Sequence, residues 1–341
     1  MPNAYGRLLE GDPDVMRSAW ETFAALPVDQ DILAAERAPD LTGNQTTIAS
    51  DVEVSGKGTF AAKNTTAIHF KPCEQEGWWF NRSDLGDELP VKVSINNVWT
   101  TGAIVSNIVL RSGGPSNYIR LVEHIISLKT GLGIDNVMMD ITSGDPPIFD
   151  QGSLDIVEAL EKAGRRTLDT PRQFVTVKEK VCLVGARGEF VMLEPPEDGR
   201  KTLTVDCGIS FKTAIGDQRV RFPVTREWLR HACVARTNTP YSKVLYCQTI
   251  GKLFADIRNL GYTRDNVLIA GKNDYKNEPR LVSGGKSLEA VWHRATLDLL
   301  AAVALIDQGI FVGHVTSFKA GHRLDVALLK QVCLQDCLVT I

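Results

Sequence analysis

The sequence has no apolar run approaching about eighteen residues, so no segment is expected to span a membrane. Basic charge is also scarce: its 341 residues carry 38 Lys plus Arg against 41 Asp plus Glu, a net charge of −3. That balance argues against a nucleic-acid partner, because phosphate backbones demand a concentrated basic surface. Single basic residues in a pocket could still hold one small anionic ligand. The opening stretch MPNAYGRLLEGDPDVMRSAW holds acidic residues and no apolar core, unlike a secretory signal. G-x-S-x-G, a Walker-type loop and a helix-opening G-x-G-x-x-G are all missing, and RSGGPS and VSGGKS read as turns. Cysteine is sparse: 7 residues, an odd number, are scattered along the chain. That suits a reducing compartment better than a disulfide framework, and a cytoplasmic location is expected. Cys333 and Cys337 fall on one expected C-terminal helix; with no second pair nearby they read as buried side chains rather than metal ligands.

What is present is an alternation of short β-type runs and helices, occurring twice. Residues 1–45 read as an appendage, with an amphipathic helix near 15–25, a further helical turn near 32–37, and breakers at Pro39 and Gly43. They precede the first strand of the repeated pattern and are expected to be dispensable for folding, and free to meet a protein partner. Strands follow in TTIASDVEV, TTAIHF, GWWFN and VKVSINNVW, then a helix over 117–129, the strand NVMMDIT and a helix over 153–163. The polar block GRRTLDTPRQ reads as a boundary. Beyond it come FVTVKEKVCLV, EFVMLEP, KTLTVDCGISF and RVRFPV, then helices near 225–232 and 244–260, the strand NVLIA, and a long helix over 288–307. IFVGHVTSF and a final helix from about Arg323 complete the order. The expected fold class is α+β in two similar domains, 46–165 and 171–341, each a small sheet with helices on one face.

Only six histidines are available, and three have suggestive neighbours. Glu123 precedes His124 in the middle of an expected helix; His293 opens HRATLD; His322 closes the basic loop KAGH. A hydrolytic zinc site needs about three N or O ligands and an open position, with a base for water and an acid for the leaving group. These pieces can supply that set, although each alone reads as readily as a structural histidine, a common dipeptide or a helix cap. His69 is expected at a solvent-facing strand position, His231 on an ordinary helix and His314 packed in an apolar strand.

Taken in order, these pieces resemble the zinc-dependent UDP-3-O-acyl-N-acetylglucosamine deacetylases of lipid A synthesis. The resemblance runs from about Ile48 to Leu334 and is densest in LVEHIISLKTGLGIDNVMMDITSGDPPIFDQGS. ISFKTAIGDQRVRF, VARTNT, HRATLD and SFKAGH continue it. The resemblance implies two α+β domains packed through their helical layers, with the metal, zinc or iron, between them. It implies Glu123 as general base, His322 as the acid for the leaving amine, and Thr237 as oxyanion stabiliser. It implies His124, His293 and an aspartate as metal ligands, with Lys319, Arg294 and Phe211 at a UDP-linked acylated amino sugar.

Departures from the family pattern cluster near these positions. The ligand aspartate is expected four residues after the second histidine, where Leu297 stands, and Asp298 comes one later. Phe60 occupies a histidine position, Asn238 a phenylalanine position, Arg294 a lysine position, and Gln151 interrupts the P-I-x-D-G-S element. Three readings follow: the family deacetylase, a paralogue acting on another N-acetyl sugar or amide, and an inactive relative binding nucleotide sugar or a protein. The spacing sharpens the choice. Residues five apart on a regular helix diverge by about 140°, so His293 and Asp298 share a metal only if a one-residue π-bulge lies between them. That bulge is the expectation; a regular helix would turn Asp298 away.

Overall fold

The computed structural model describes residues 4–39, 41–86, 88–102, 106–241 and 261–341. The helix expected over 244–260 lies outside them. The fold is α+β, with mixed sheets and helices.

Period-two burial sets the first sheet. Its six strands run in the order Pro147–Ile148, Val52–Gly58, Thr65–Pro72, Val137–Ile141, Trp78–Arg82 and Val91–Lys92. Ile68 and Phe70 on one central strand and Val137, Met139 and Ile141 on the next bury one face, as alternation requires. The helices Glu123–Ile126, Leu128–Leu132 and Leu154–Ala163 follow from the same half of the chain. The first two pack against Leu300–Ala304, and Leu128–Leu132 also meets Arg226–Ala232.

The second sheet has seven strands, ordered Arg7–Glu10, Val181–Val184, Phe190–Glu194, Gly313–Phe318, Leu203–Ser210, Asp217–Pro223 and Gln30–Asp31. Val181–Val184 is buried at every position, because both sheet faces are covered. The C-terminal helix His322–Leu334 packs on this strand and on Phe190–Glu194. The N-terminal helix Pro13–Ala24 places Met16, Ala19 and Phe23 against Cys182, Val184, Phe190, Met192 and Phe318.

The N-terminal segment is built into the second sheet. It adds an edge strand at each end of the second sheet, pairing Arg7 with Val181 and Arg221 with Asp31, and covers an aromatic face between them. Each large apolar side chain buried there contributes about 1.5–3 kcal/mol, and removing the segment uncovers Phe190, Met192 and Phe318.

Two local expectations are revised, the helix over 117–129 and the place of Cys337. The helix expected over 117–129 begins only at Glu123: Tyr118–Ile119 is a strand, and Leu121 takes a left-handed conformation, φ 54°, that no α-helix continues through. The polar block holds the strand Arg165–Pro171, paired with Asn44–Ile48. Near residues 32–37 the expected helical turn is present: Glu36 N–H donates to the Ile32 carbonyl at 2.7 Å. Cys337 lies beyond the C-terminal helix and its Sγ accepts from Arg7, so it does not share a helix face with Cys333.

Candidate metal centre

Glu123 and His124 reach the site because their helix starts there. Leu121 takes its left-handed conformation two residues before Glu123, and Ile108 N–H donates to Glu123 Oε2 at 2.9 Å. At the next residue, the carbonyl of His124 accepts from Ser153 Oγ at 2.8 Å. Ser153 is delivered by Gly152, whose φ is 66° and where a Cβ would stand 2.4 Å from the Cys233 carbonyl. Only glycine permits that approach.

His293 and Asp298 share a longer helix. Glu289–His293 is α-helical, Arg294–Leu299 is a π-helical stretch, and Leu300–Ala304 resumes the α-helix. The expected irregularity is present. It absorbs the extra residue between the histidine and the aspartate and returns both to one face. Thr296 Oγ1 bonds back to the Trp292 carbonyl at 2.6 Å, a contact that bends helices. At the head of the helix, buried Glu289 accepts from Arg236 Nε at 2.7 Å and from Arg236 N at 3.0 Å. Thr237 follows Arg236 and opens the strand Thr237–Pro240, so this clamp ties the Thr237 strand to the His293 helix.

The side chains converge on one point. His124 Nε2 and His293 Nε2 are 3.1 Å apart, and Thr237 Oγ1 lies 3.4 Å from the first and 3.1 Å from the second. Asp298 Oδ1 is 3.6 Å from His293 Nδ1 and 3.4 Å from His322 Nε2, while Glu123 Oε1 is 3.9 Å from His322 Nε2. A pocket of about 210 Å³ opens over these groups, with Thr59, Phe149, Asn238 and Tyr262 on its walls.

Burial pushes the pKa of His124 down to about 3, with repulsion from His293 adding to it, so the ring is neutral at pH 7 and keeps a lone pair to offer. Burial works to raise the pKa of Asp298, yet the His293 and His322 imidazoles hold it below the usual carboxylate range. Burial raises that of Glu123. The ligating atoms of His124, His293 and Asp298 lie within 4.8 Å of one another. Two imidazoles and one carboxylate are a donor set that suits zinc.

The pocket brings together Glu123, His124, Thr237, His293, Asp298 and His322; Arg294, Lys319 and Phe211 lie outside its lining. Arg294 is 5% exposed, and its Nη2 donates to Asp325 Oδ1 at 2.6 Å and to Ser317 Oγ at 3.0 Å. Its guanidinium thus pairs inside the protein and ties the His293 helix to the His322 helix. Lys319 is exposed on the turn before His322, and Phe211 is exposed beyond the strand Leu203–Ser210. Glu289, Arg236, Ser153 and Asp325 escaped notice in the sequence, because each works through a partner distant along the chain or buried by the fold. The one available signal was the charge of Glu289 inside the otherwise apolar run LEAVW.

The profile of the UDP-3-O-acyl N-acetylglycosamine deacetylase family matches residues 45–334, most of the chain. The chain belongs to this family. It is 28% identical over 290 residues to proteins named UDP-3-O-acyl-N-acetylglucosamine deacetylase from Brucella ovis and from Brucella canis, covering 84% of this chain and 94% of each relative. Family membership and the His124, His293 and Asp298 cluster together mark a metal-dependent deacetylase site.

Proposed function

We propose that the chain removes the N-acetyl group from a UDP-linked 3-O-acyl-N-acetylglucosamine, using zinc or iron, in the cytoplasm. The observation that carries this reading is the π-helical stretch, which sets Asp298 beside His293 and His124 despite the five-residue spacing. A divalent ion held by these three residues would supply Lewis acidity toward the amide and its attacking water. Glu123, with Oε2 held by Ile108 N–H, accepts the water's proton at its other oxygen. His322 Nε2, close to both Asp298 and Glu123, delivers a proton to the leaving amine. Thr237 Oγ1, beside both ligand imidazoles, donates to the developing oxyanion.

The architecture supports placing that chemistry between two α+β units, 46–165 and 171–341, with facing helices, the segment 1–45 belonging with the second sheet. Lys319 and Phe211 serve the nucleotide in this reading: Phe318 pairs with Gly208, so both residues leave the second sheet at the same end. That no helix among the described residues is long and apolar enough to cross a membrane, and that six cysteines are free, agree with a cytoplasmic enzyme.

A second reading has its own support. Arg294 is committed to Asp325, and Asn238 stands in the pocket wall, so an N-acetylated amino sugar without a nucleotide also fits. Acetate release from both substrate types, with metal analysis of the purified protein, separates the readings. Turnover of the UDP-linked substrate supports the first; turnover confined to the simpler sugar supports the second. A metal-free protein inactive on both defeats them together.

A further inference from the structure

We infer that the N-terminal helix Pro13–Ala24 positions His322, with Phe23 as the positioning residue, acting through Phe318 and Gly208 on the turn at Lys319. This rests on the role proposed above for His322.

Phe318 ends its strand one residue before a left-handed turn at Lys319, φ 53°, and His322 opens the next helix three residues further on. Between them there are few restraints. Lys319 N–H donates to the Gly208 carbonyl at 3.0 Å, and Gly321 caps the His322 helix through backbone conformation alone, with no side-chain hydrogen bond. A non-glycine residue with positive φ stays there only when its surroundings over-determine it. The surroundings come from the N-terminal helix. The Phe23 ring centroid lies 5.5 Å from that of Phe318 and 5.5 Å from that of Phe190, which itself packs 5.9 Å from Phe318. Phe23 also closes over the Gly208 backbone, where a Cβ would stand 3.0 Å from Phe23 Cε2 and 3.2 Å from Leu26 Cδ2. One side chain therefore touches both the residue before the turn and the residue that accepts the turn's hydrogen bond.

The helix is in turn fixed to the sheet. Arg219 lies over the Phe23 ring at 4.0 Å and donates to the carbonyls of Phe23 and Leu26 at 3.0 and 3.1 Å, while its other nitrogens pair with Asp206. Lys319 closes the arrangement from outside, its ammonium 4.6 Å from the Phe318 ring centroid. The path from helix to imidazole is continuous: Arg219, Phe23, Phe318 and Gly208, Lys319, His322. Because the site needs His322 Nε2 near Asp298 and Glu123, a small displacement of this turn costs turnover rather than binding of substrate or metal.

The test uses the full chain and two variants that disturb the contact from opposite sides. Phe23→Ala removes the ring; Gly208→Ala keeps every helix residue and pushes Phe23 away. Each is expected to lower kcat by about tenfold to a hundredfold with KM and metal content unchanged. Phe23→Leu is expected to recover most of the loss. In nitrogen-15 spectra of histidine-labelled protein, assigned with His322→Asn, the His322 imidazole signal should broaden or split in both variants while those of His124 and His293 stay sharp. Wild-type kcat in Gly208→Ala, or an unperturbed His322 signal in both variants, overturns the inference. If the wild-type protein does not deacetylate the UDP-linked substrate, the proposed function fails, and the His322 signal still decides whether the helix positions the imidazole.

Discussion

Glu123 and His124 open a helix of 4 residues, whereas His293 and Asp298 lie inside a buried helical run that extends from Glu289 to Ala304. The short helix aims its side chains by where it begins: the Leu121 turn, the Ile108 N–H and the Ser153 hydroxyl fix its first residues from outside. The long helix cannot choose its start, since Glu289 and Arg236 already clamp its head. It aims instead by a fault in its own ladder, the π-helical stretch Arg294–Leu299. A site assembled from both is rigid on the buried side and dependent on loop contacts on the other.

The largest effects should fall on the groups themselves and should differ between the helices. His293→Ala is expected to lose bound metal together with about three or more decades of turnover. Glu123→Ala is expected to lose about two to four decades while metal is retained. Acetate release beside metal analysis reads both, and equal metal loss in the two variants would erase the distinction between ligand and base.

The next effect concerns what holds the long helix in place. Arg294→Met strands Asp325 in the interior and should destabilise the fold by about 3–5 kcal/mol, with most of the loss recovered in Arg294→Met/Asp325→Leu. Urea unfolding measures this, and calorimetry with UDP should show unchanged affinity in the double variant. Weaker UDP binding without a stability change would return Arg294 to the substrate.

A smaller effect is expected where intuition predicts a large one. Deleting Thr296 brings His293 and Asp298 to a four-residue spacing and lets the ladder close regularly, leaving both on one face within about 40°. Metal content should persist, and stability should change by no more than about 1 kcal/mol, since a π-bulge is equivalent to a one-residue insertion. Loss of metal in this deletion would mean that the π geometry itself, and not the shared face, holds the site.

The smallest effect separates a structural histidine from the metal-centre set. His314, bonded through Nδ1 to Thr204 Oγ1, has its pKa lowered chiefly by burial. The unfolded chain then takes up its proton first as pH falls through about 6.5. The unfolded state binds more protons there, so this group's contribution is lost on acidification and regained as pH rises. His314→Gln should flatten the slope of stability against pH between about 7 and 5, measured by thermal unfolding at matched ionic strength. An unchanged slope would show that His314 is not held neutral.

Much of the fold was legible because its signals are local. Ile68 and Phe70, like Met139 and Ile141, alternate toward a core, and the helices Leu154–Ala163 and Arg226–Ala232 fall where apolar spacing places them. The five-residue gap between His293 and Asp298 posed the choice between a π-helical turn and an aspartate turned away, because helical rotation per residue is a property of the backbone and not of its surroundings. The six residues that line one pocket were singled out by the family resemblance, because each histidine, carboxylate or threonine taken alone reads as readily as a structural residue.

What only the tertiary structure decided were the assignments that depend on a distant partner. The run Ile119, Val122, Ile125 and Ile126 has helical spacing, yet Ile119 enters the core from a strand and the helix waits until Glu123. Arg294 beside His293 is equally consistent with a phosphate and with a carboxylate; Asp325, 31 residues away, takes it. The N-terminal segment looks separable until Phe23 meets Phe190 and Phe318, which lie far along the chain. Periodicity and chemical identity belong to the chain, whereas the partner that satisfies a charge or covers a ring is set by which surfaces folding brings into contact.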